Sequence, residues 1–170
     1  MIRQLTDKDT ATYRTLRLKA LHTEPDAFVA RFETENKKPK LFMEGCLRAN
    51  DSFNIMFGYF TDDMLTGIVG FVKSRHAGTT NEGEIIQLYV DANHRDKGIG
   101  RRLMQTILSF VFSKFAELNR INIAVVLTPK NAGELYKTLG FECLSVPGIH
   151  NHNSFDILFL QLNKEDYKLR

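Results

Sequence analysis

The chain has no tryptophan, only two cysteines and four prolines, and no Lys/Arg run long or clustered enough to coat a nucleic acid. Each scarcity removes a class of function. Cys46 and Cys143 have no Cys or His nearby at a zinc spacing, so no metal site is expected. Two lone thiols suit reducing cytoplasm, the expected location, and a single disulfide between them stays open. No apolar stretch approaches the roughly 18 residues of a membrane span. Residues 1–5 lack the apolar run of a signal peptide. Neither nucleic acid nor membrane is therefore an expected partner. A formal charge of +3 is mild and compatible with an anionic ligand such as a nucleotide.

What the chain does have is a core. Its 170 residues are the size of one domain, 1–170, and 43% are hydrophobic, with thirteen Phe supplying aromatic bulk. Residues 2–5 read as a short strand. Thr6 stands three before Asp9, a capping-box variant with Asp in place of Glu. Tyr13, Leu16 and Ala20 recur at helical spacing, which predicts a helix over 7–22. Residues 23–39 are mixed and polar, and Pro39 can open a helix over 40–49. Strands 52–61 and 64–75 flank an Asp62-Asp63 turn as a hairpin, and a third strand covers 83–90. The strongest helix carries Leu103, Met104, Ile107, Leu108, Val111, Phe115 and Leu118 on one face. A strand over 120–127, a short helix over 132–139 stopped by Gly140, and strands over 141–146 and 154–162 complete a mixed α/β domain.

Strand 83–90 runs through a polar loop into Arg95-Asp96-Lys97-Gly98-Ile99-Gly100 and then into the strong helix. A helix start carries unpaired N–H groups and partial positive charge, and glycines let a phosphate approach that backbone. A dinucleotide fingerprint would need a third Gly or Ala where Leu103 stands. A P-loop would need Gly-Lys-Ser/Thr, but Arg101-Arg102 follow Gly100. By physics alone the segment is either a phosphate cradle or a loop whose glycines only turn the chain and cap the helix.

Arg95-x-x-Gly98-x-Gly100 resembles the Gln/Arg-x-x-Gly-x-Gly/Ala motif of the GNAT N-acetyltransferases. Leu135-Tyr136-Lys137-Thr138-Leu139-Gly140-Phe141 resembles that family's Leu-Tyr-x-x-x-Gly-Phe segment, at the expected distance downstream. The resemblance covers about residues 84–141. It implies a single-domain GNAT-like fold: a mixed central sheet, splayed between the fourth and fifth strands and flanked by helices. It further implies acetyl-CoA as cofactor, direct attack of a primary amine of a small molecule or peptide on the thioester, and room for a homodimer. By position, Arg95, Asp96, Lys97, Gly98, Ile99, Gly100 and Arg101 would hold the pyrophosphate. Leu88, Tyr89 and Val90 would run beside pantetheine, with the Leu88 N–H aimed at the acetyl oxygen. The family often has Asn seven residues before this Tyr; here that position is Pro129, and Asn131 is the candidate instead.

An amine acceptor must lose a proton, the thioester oxygen must be stabilised, and the thiolate must be protonated or stabilised. Strict alternation along the strand puts residues 84, 86, 88 and 90 on one face, so Glu84 is the candidate base, directly or through water, with Glu82 as rival. Tyr136 is the candidate acid. His150, His152, Asp156, Glu24, Asp26, Glu33 and Glu35 are weaker candidates for touching the acceptor. Two alternatives stay open. One is a transferase with another acyl group or acceptor; the other is a non-catalytic acyl-CoA sensor on the same fold.

Overall fold

In the computed structural model, residues 1–74, 78–126, 133–144 and 157–168 are described. A seven-stranded sheet has the order β1-β2-β3-β4-β5-β7-β6. Its strands are β1 (Ile2–Gln4), β2 (Asn54–Thr61), β3 (Met64–Lys73), β4 (Glu82–Val90), β5 (Arg120–Val126), β6 (Glu142–Cys143) and β7 (Ile157–Asn163). Its helices are α1 (Thr10–Thr23), α2 (Phe32–Glu35), α3 (Phe42–Arg48), α4 (Ile99–Lys114), α5 (Gly133–Thr138) and α6 (Lys164–Lys168). All pairings are antiparallel except β4 with β5.

Two apolar clusters cover the two faces of the sheet. On one, α4 lays Leu103, Met104, Ile107, Leu108 and Val111, all fully buried, against Phe57, Phe71 and Ile85. On the other, Tyr13, Leu16 and Ala20 of α1 and Met43 of α3 pack on Met56, Ile68 and Tyr89. A buried Leu or Met of this kind is worth about 2–5 kcal/mol against Ala.

The parallel pairing of β4 with β5 covers only residues 82–84 against 120–122, after which the strands part. The predicted splay is therefore present. Alternation along β4 fails, however. Ile68 pairs with Tyr89 and Gly70 with Ile86, so Gln87 and Leu88 together face Val69 as a bulge, and Gln87 sits at φ 57°. The bulge flips the facing that strict alternation predicts. Leu88 and Val90 pack with Ile85 on the α4 side, while Ile86 and Tyr89 pack on the α1 side. Glu84, opposite Val72, belongs to the α1 side and does not share the face of Leu88.

Other boundaries moved for local reasons. The first helix opens with a tight turn over Asp7–Asp9. There the Asp9 carboxylate accepts the Thr6 N–H at 2.8 Å and pairs with Arg3 at 2.7 Å. The helix expected from Pro39 starts later, because Glu44 accepts the Leu41 N–H at 3.2 Å and caps it there. The strong helix ends at Lys114, leaving Phe115 and Leu118 buried beyond it. Gly140 stops α5 at φ 95°. The one-turn α2 and the terminal α6 carry too short a pattern to read from sequence.

Candidate active site

Where β4 and β5 part, two cavities meet. One, of about 500 Å³, runs from the splay to the start of α4. The end of β4 supplies Leu88, Tyr89 and Val90; the loop supplies Arg95, Asp96 and Gly98; α4 supplies Ile99, Gly100 and Arg101; α5 closes it with Tyr136. The other, of about 310 Å³, lies beside it and is lined by Glu84, Gln87, Arg17 and Phe28. Leu88, Val125, Val126 and Tyr136 border both.

The loop is built to present backbone. Gly98 caps α4 in the left-handed region at φ 70°, with no atom within 4 Å of where a Cβ would stand. Only glycine holds that conformation without strain. Gly100 is helical, and a Cβ there would meet Leu135 and Val90 at 3.8 and 3.9 Å. Both glycines line the larger cavity beside a 16-residue helix's positive end. α1 fixes the loop from behind. Lys19 pairs with the buried Asp91, whose N–H donates to the Thr66 carbonyl at 2.8 Å. The Lys19 hydrogen bond holds Asp91 below the ordinary aspartate pKa. Glu24 pairs with Arg95 at 2.9 Å, and Arg95 Nε donates to the Val90 carbonyl at 3.0 Å.

The bulge is held from the opposite layer. Tyr13, wholly buried, donates its hydroxyl to Gln87 Oε1 at 2.8 Å. That contact secures a non-glycine residue in a left-handed conformation that costs about 1–2 kcal/mol. Leu88, next in the chain, has no register partner on β3 or β5.

Glu84 is exposed by surface area, yet burial raises its pKa above the ordinary glutamate value. The two facts are compatible: an open cleft leaves the carboxylate reachable by water while its walls displace much of the surrounding solvent. Among the described residues no cation pairs with it. Glu82, the rival, pairs with Arg120 at 2.7 Å and accepts from Asn122 at 3.1 Å. Tyr136 is 6% exposed, packs edge-on to Phe141 at 6.0 Å, and has its pKa pushed up by burial to about 12.

Not every candidate joins the site. Lys97 is exposed and lines neither cavity. Glu24 is on the larger cavity but neutralised by Arg95. Glu35 pairs with Lys38 at 2.5 Å. Pro129, Asn131, His150, His152 and Asp156 lie outside the described residues. Sequence reasoning missed Arg17 on the smaller cavity, Phe28, Val125 and Val126 on both, and Leu135 of α5 on the larger. Arg17 had a signal: it stands four residues after Tyr13 and four before Leu21, inside the apolar stripe of α1. Among the described residues no cluster of His, Cys, Asp and Glu could hold a metal, and no helix is long and apolar enough to cross a membrane.

Comparison with known proteins bears on the family and the fold. The family model described as "Acetyltransferase (GNAT) family" matches residues 15–141. N-acetylaspartate synthetase of Xenopus tropicalis is 33% identical over 112 residues, 61% of this chain and only 39% of that protein's length. A GNAT-family acetyltransferase of Streptococcus pneumoniae superposes with a TM-score of 0.78 at 19% identity, covering 96% of this chain and 98% of that one. A Salmonella typhimurium protein solved with its cofactor acetyl-CoA superposes with a TM-score of 0.73 at 17% identity, covering 96% and 92%.

Proposed function

Because the chain belongs to the GNAT acetyltransferase family, which uses acetyl-CoA, we propose that it moves an acetyl group from acetyl-CoA to a primary amine by direct attack on the thioester. The observation that carries this reading is the meeting of two cavities at one parted strand pair, bordered by Leu88 and Tyr136. The larger suits the cofactor: Gly98 leaves open space at a helix start, and its flank is the end of β4 that has no partner on β5. When bound, the cofactor supplies the acetyl thioester. The relative named N-acetylaspartate synthetase has an N-linked acetyl group in its name, which favours an amine over a hydroxyl acceptor here.

The chain's own groups then have distinct tasks. Glu84 takes a proton from the acceptor ammonium, and burial makes it a stronger base than a free glutamate. The Leu88 N–H, turned by the bulge, donates to the acetyl oxygen as negative charge builds there. Tyr136 serves the departing sulfur. Its pKa of about 12 lies above that of a thiol, about 8.5, so donating a hydrogen bond is easier than giving the proton away. Tyr136 is thus a stabilising donor first and an acid second. Overall, one N–C bond forms and one C–S bond breaks; the ammonium loses two protons, one ending on sulfur and one in solvent.

The test is coenzyme A release by the purified chain across primary amines, with mass spectrometry of the product. An acetyl group on nitrogen is the expected result. Acetyl-CoA binding without acetylation of any amine would return the chain to the sensor reading.

A further inference from the structure

Arg17 is an arginine in the wrong place for a structural residue. It is 5% exposed, inside the apolar stripe of α1 between Tyr13 and Leu21. Its Nη1 is buried with no hydrogen-bond partner, and among the described residues the guanidinium forms no ion pair. Glu35, the carboxylate that acts on it at longer range, is already paired with Lys38 at 2.5 Å. One face is covered: the Phe28 ring lies 4.5 Å from the guanidinium carbon. A ring over one face orients the edge donors but satisfies none of them. Proteins rarely keep a buried charge unpaired unless something else pairs it.

What pairs it must enter through the cavity it lines. Arg17 shares that cavity of about 310 Å³ with Glu84, and these two are its only charged groups among the described lining residues. Among the described residues, one is a fixed cation with free donors and the other a carboxylate with no partner. A ligand complementary to both carries a carboxylate and an ammonium. A guanidinium fork matches a carboxylate with two parallel hydrogen bonds.

We propose that Arg17 binds a carboxylate of the acceptor, so that the amine acetylated here belongs to an amino acid. The proposal rests on the N-acetyltransferase reading above and narrows its acceptor. It also excludes: a polyamine would bring a second ammonium against Arg17 and should be a poor acceptor.

The experiment compares the twenty L-amino acids with their primary amides and with spermidine, by coenzyme A release. It is run on the unaltered chain and on Arg17→Met and Arg17→Lys. Acids should exceed their amides by roughly ten- to a hundredfold in kcat/KM, the usual worth of hydrogen bonds to a charged group. Arg17→Met should erase that preference through KM, with acetyl-CoA affinity unchanged, and Arg17→Lys should restore part of it. Arg17→Met should also melt no lower than the parent, because it removes an unpaired buried charge yet keeps an apolar stem against Phe28. A lower melting temperature with the acid preference intact would assign Arg17 to packing and overturn the proposal. Amides or spermidine acetylated as well as acids would also overturn it, while leaving the N-acetyltransferase reading standing. No coenzyme A release from any of these acceptors would overturn the proposal, and no release from any primary amine would overturn the N-acetyltransferase reading as well.

Discussion

Replacing Gly100 with Ala separates the stability of the phosphate loop from its use. In the free protein a Cβ at this position meets Leu135 Cδ2 at 3.8 Å and Val90 Cγ2 at 3.9 Å, both ordinary contacts. The residue is helical, so it has no left-handed backbone to strain. Alanine is favoured over glycine by about 0.8–1 kcal/mol inside a helix and by less in the first turn, so a gain of about 0.5 kcal/mol is expected. The same Cβ projects into the cavity assigned to the cofactor. If pyrophosphate lies against this backbone, the added carbon displaces it, and a loss of about tenfold, or about 1.4 kcal/mol, is the expected scale. Gly100→Asp adds a negative charge and should lose more. The assay is a thermal melt and acetyl-CoA calorimetry on the same preparations. A variant at least as stable as its parent but binding acetyl-CoA more weakly is the predicted outcome. Unchanged affinity in that variant would move the pyrophosphate elsewhere.

Three further predictions concern residues that support or perform the chemistry. Tyr136→Phe keeps the buried ring against Phe141 and should lower kcat clearly while acetyl-CoA affinity and melting temperature hold; full kcat would end its role at the sulfur. Tyr13→Phe removes the 2.8 Å hydrogen bond to Gln87; urea titration should show a loss of about 1–2 kcal/mol, and kcat should fall because the bulge that turns Leu88 loosens. Asp9 has its pKa lowered from 3.8 to about 2, chiefly by the Arg3 hydrogen bond, so its contribution is present above pH 3.8 and lost as pH falls through about 2. Asp9→Asn should cost about 1 kcal/mol at pH 7 after solvent screening, with the difference closing between these two pH values in acid denaturation.

Much of the frame is legible because it follows from local rules. Thr6-x-x-Asp9, the hairpin turn, the periodic face of α4 and the glycines at 98 and 140 each express one short-range preference, and each has a counterpart in the structure. The bulge is different. Nothing marks Gln87 for φ 57°, since Gly or Asn is the usual signal. It is held by Tyr13, 74 residues away in sequence, a contact only the assembled layers create. That one residue moved Leu88 to the face opposite Glu84 and undid an argument from alternation. β6 spans only Glu142–Cys143, too little for a periodic signal. Arg17 was overlooked because an arginine on a helix normally reaches solvent. Its meaning comes from Phe28 and Glu84, which reach the same cavity from elsewhere in the chain.

The central claim is that this site deprotonates an amine for acetyl transfer, and the pH–rate profile of Glu84→Gln tests it most directly. Burial raises the Glu84 pKa, so removing the charge should leave the fold as stable or slightly more stable near neutral pH. The melting curve therefore serves as an internal control. In the parent, the acid limb of kcat/KM should lie above the usual glutamate pKa, about 4.3. In Glu84→Gln that limb should vanish and turnover near pH 7 should fall by roughly 10²–10⁴-fold. Activity should then recover as rising pH deprotonates the free amine. A folded Glu84→Gln protein with the parent's rate and the parent's acid limb would contradict the account.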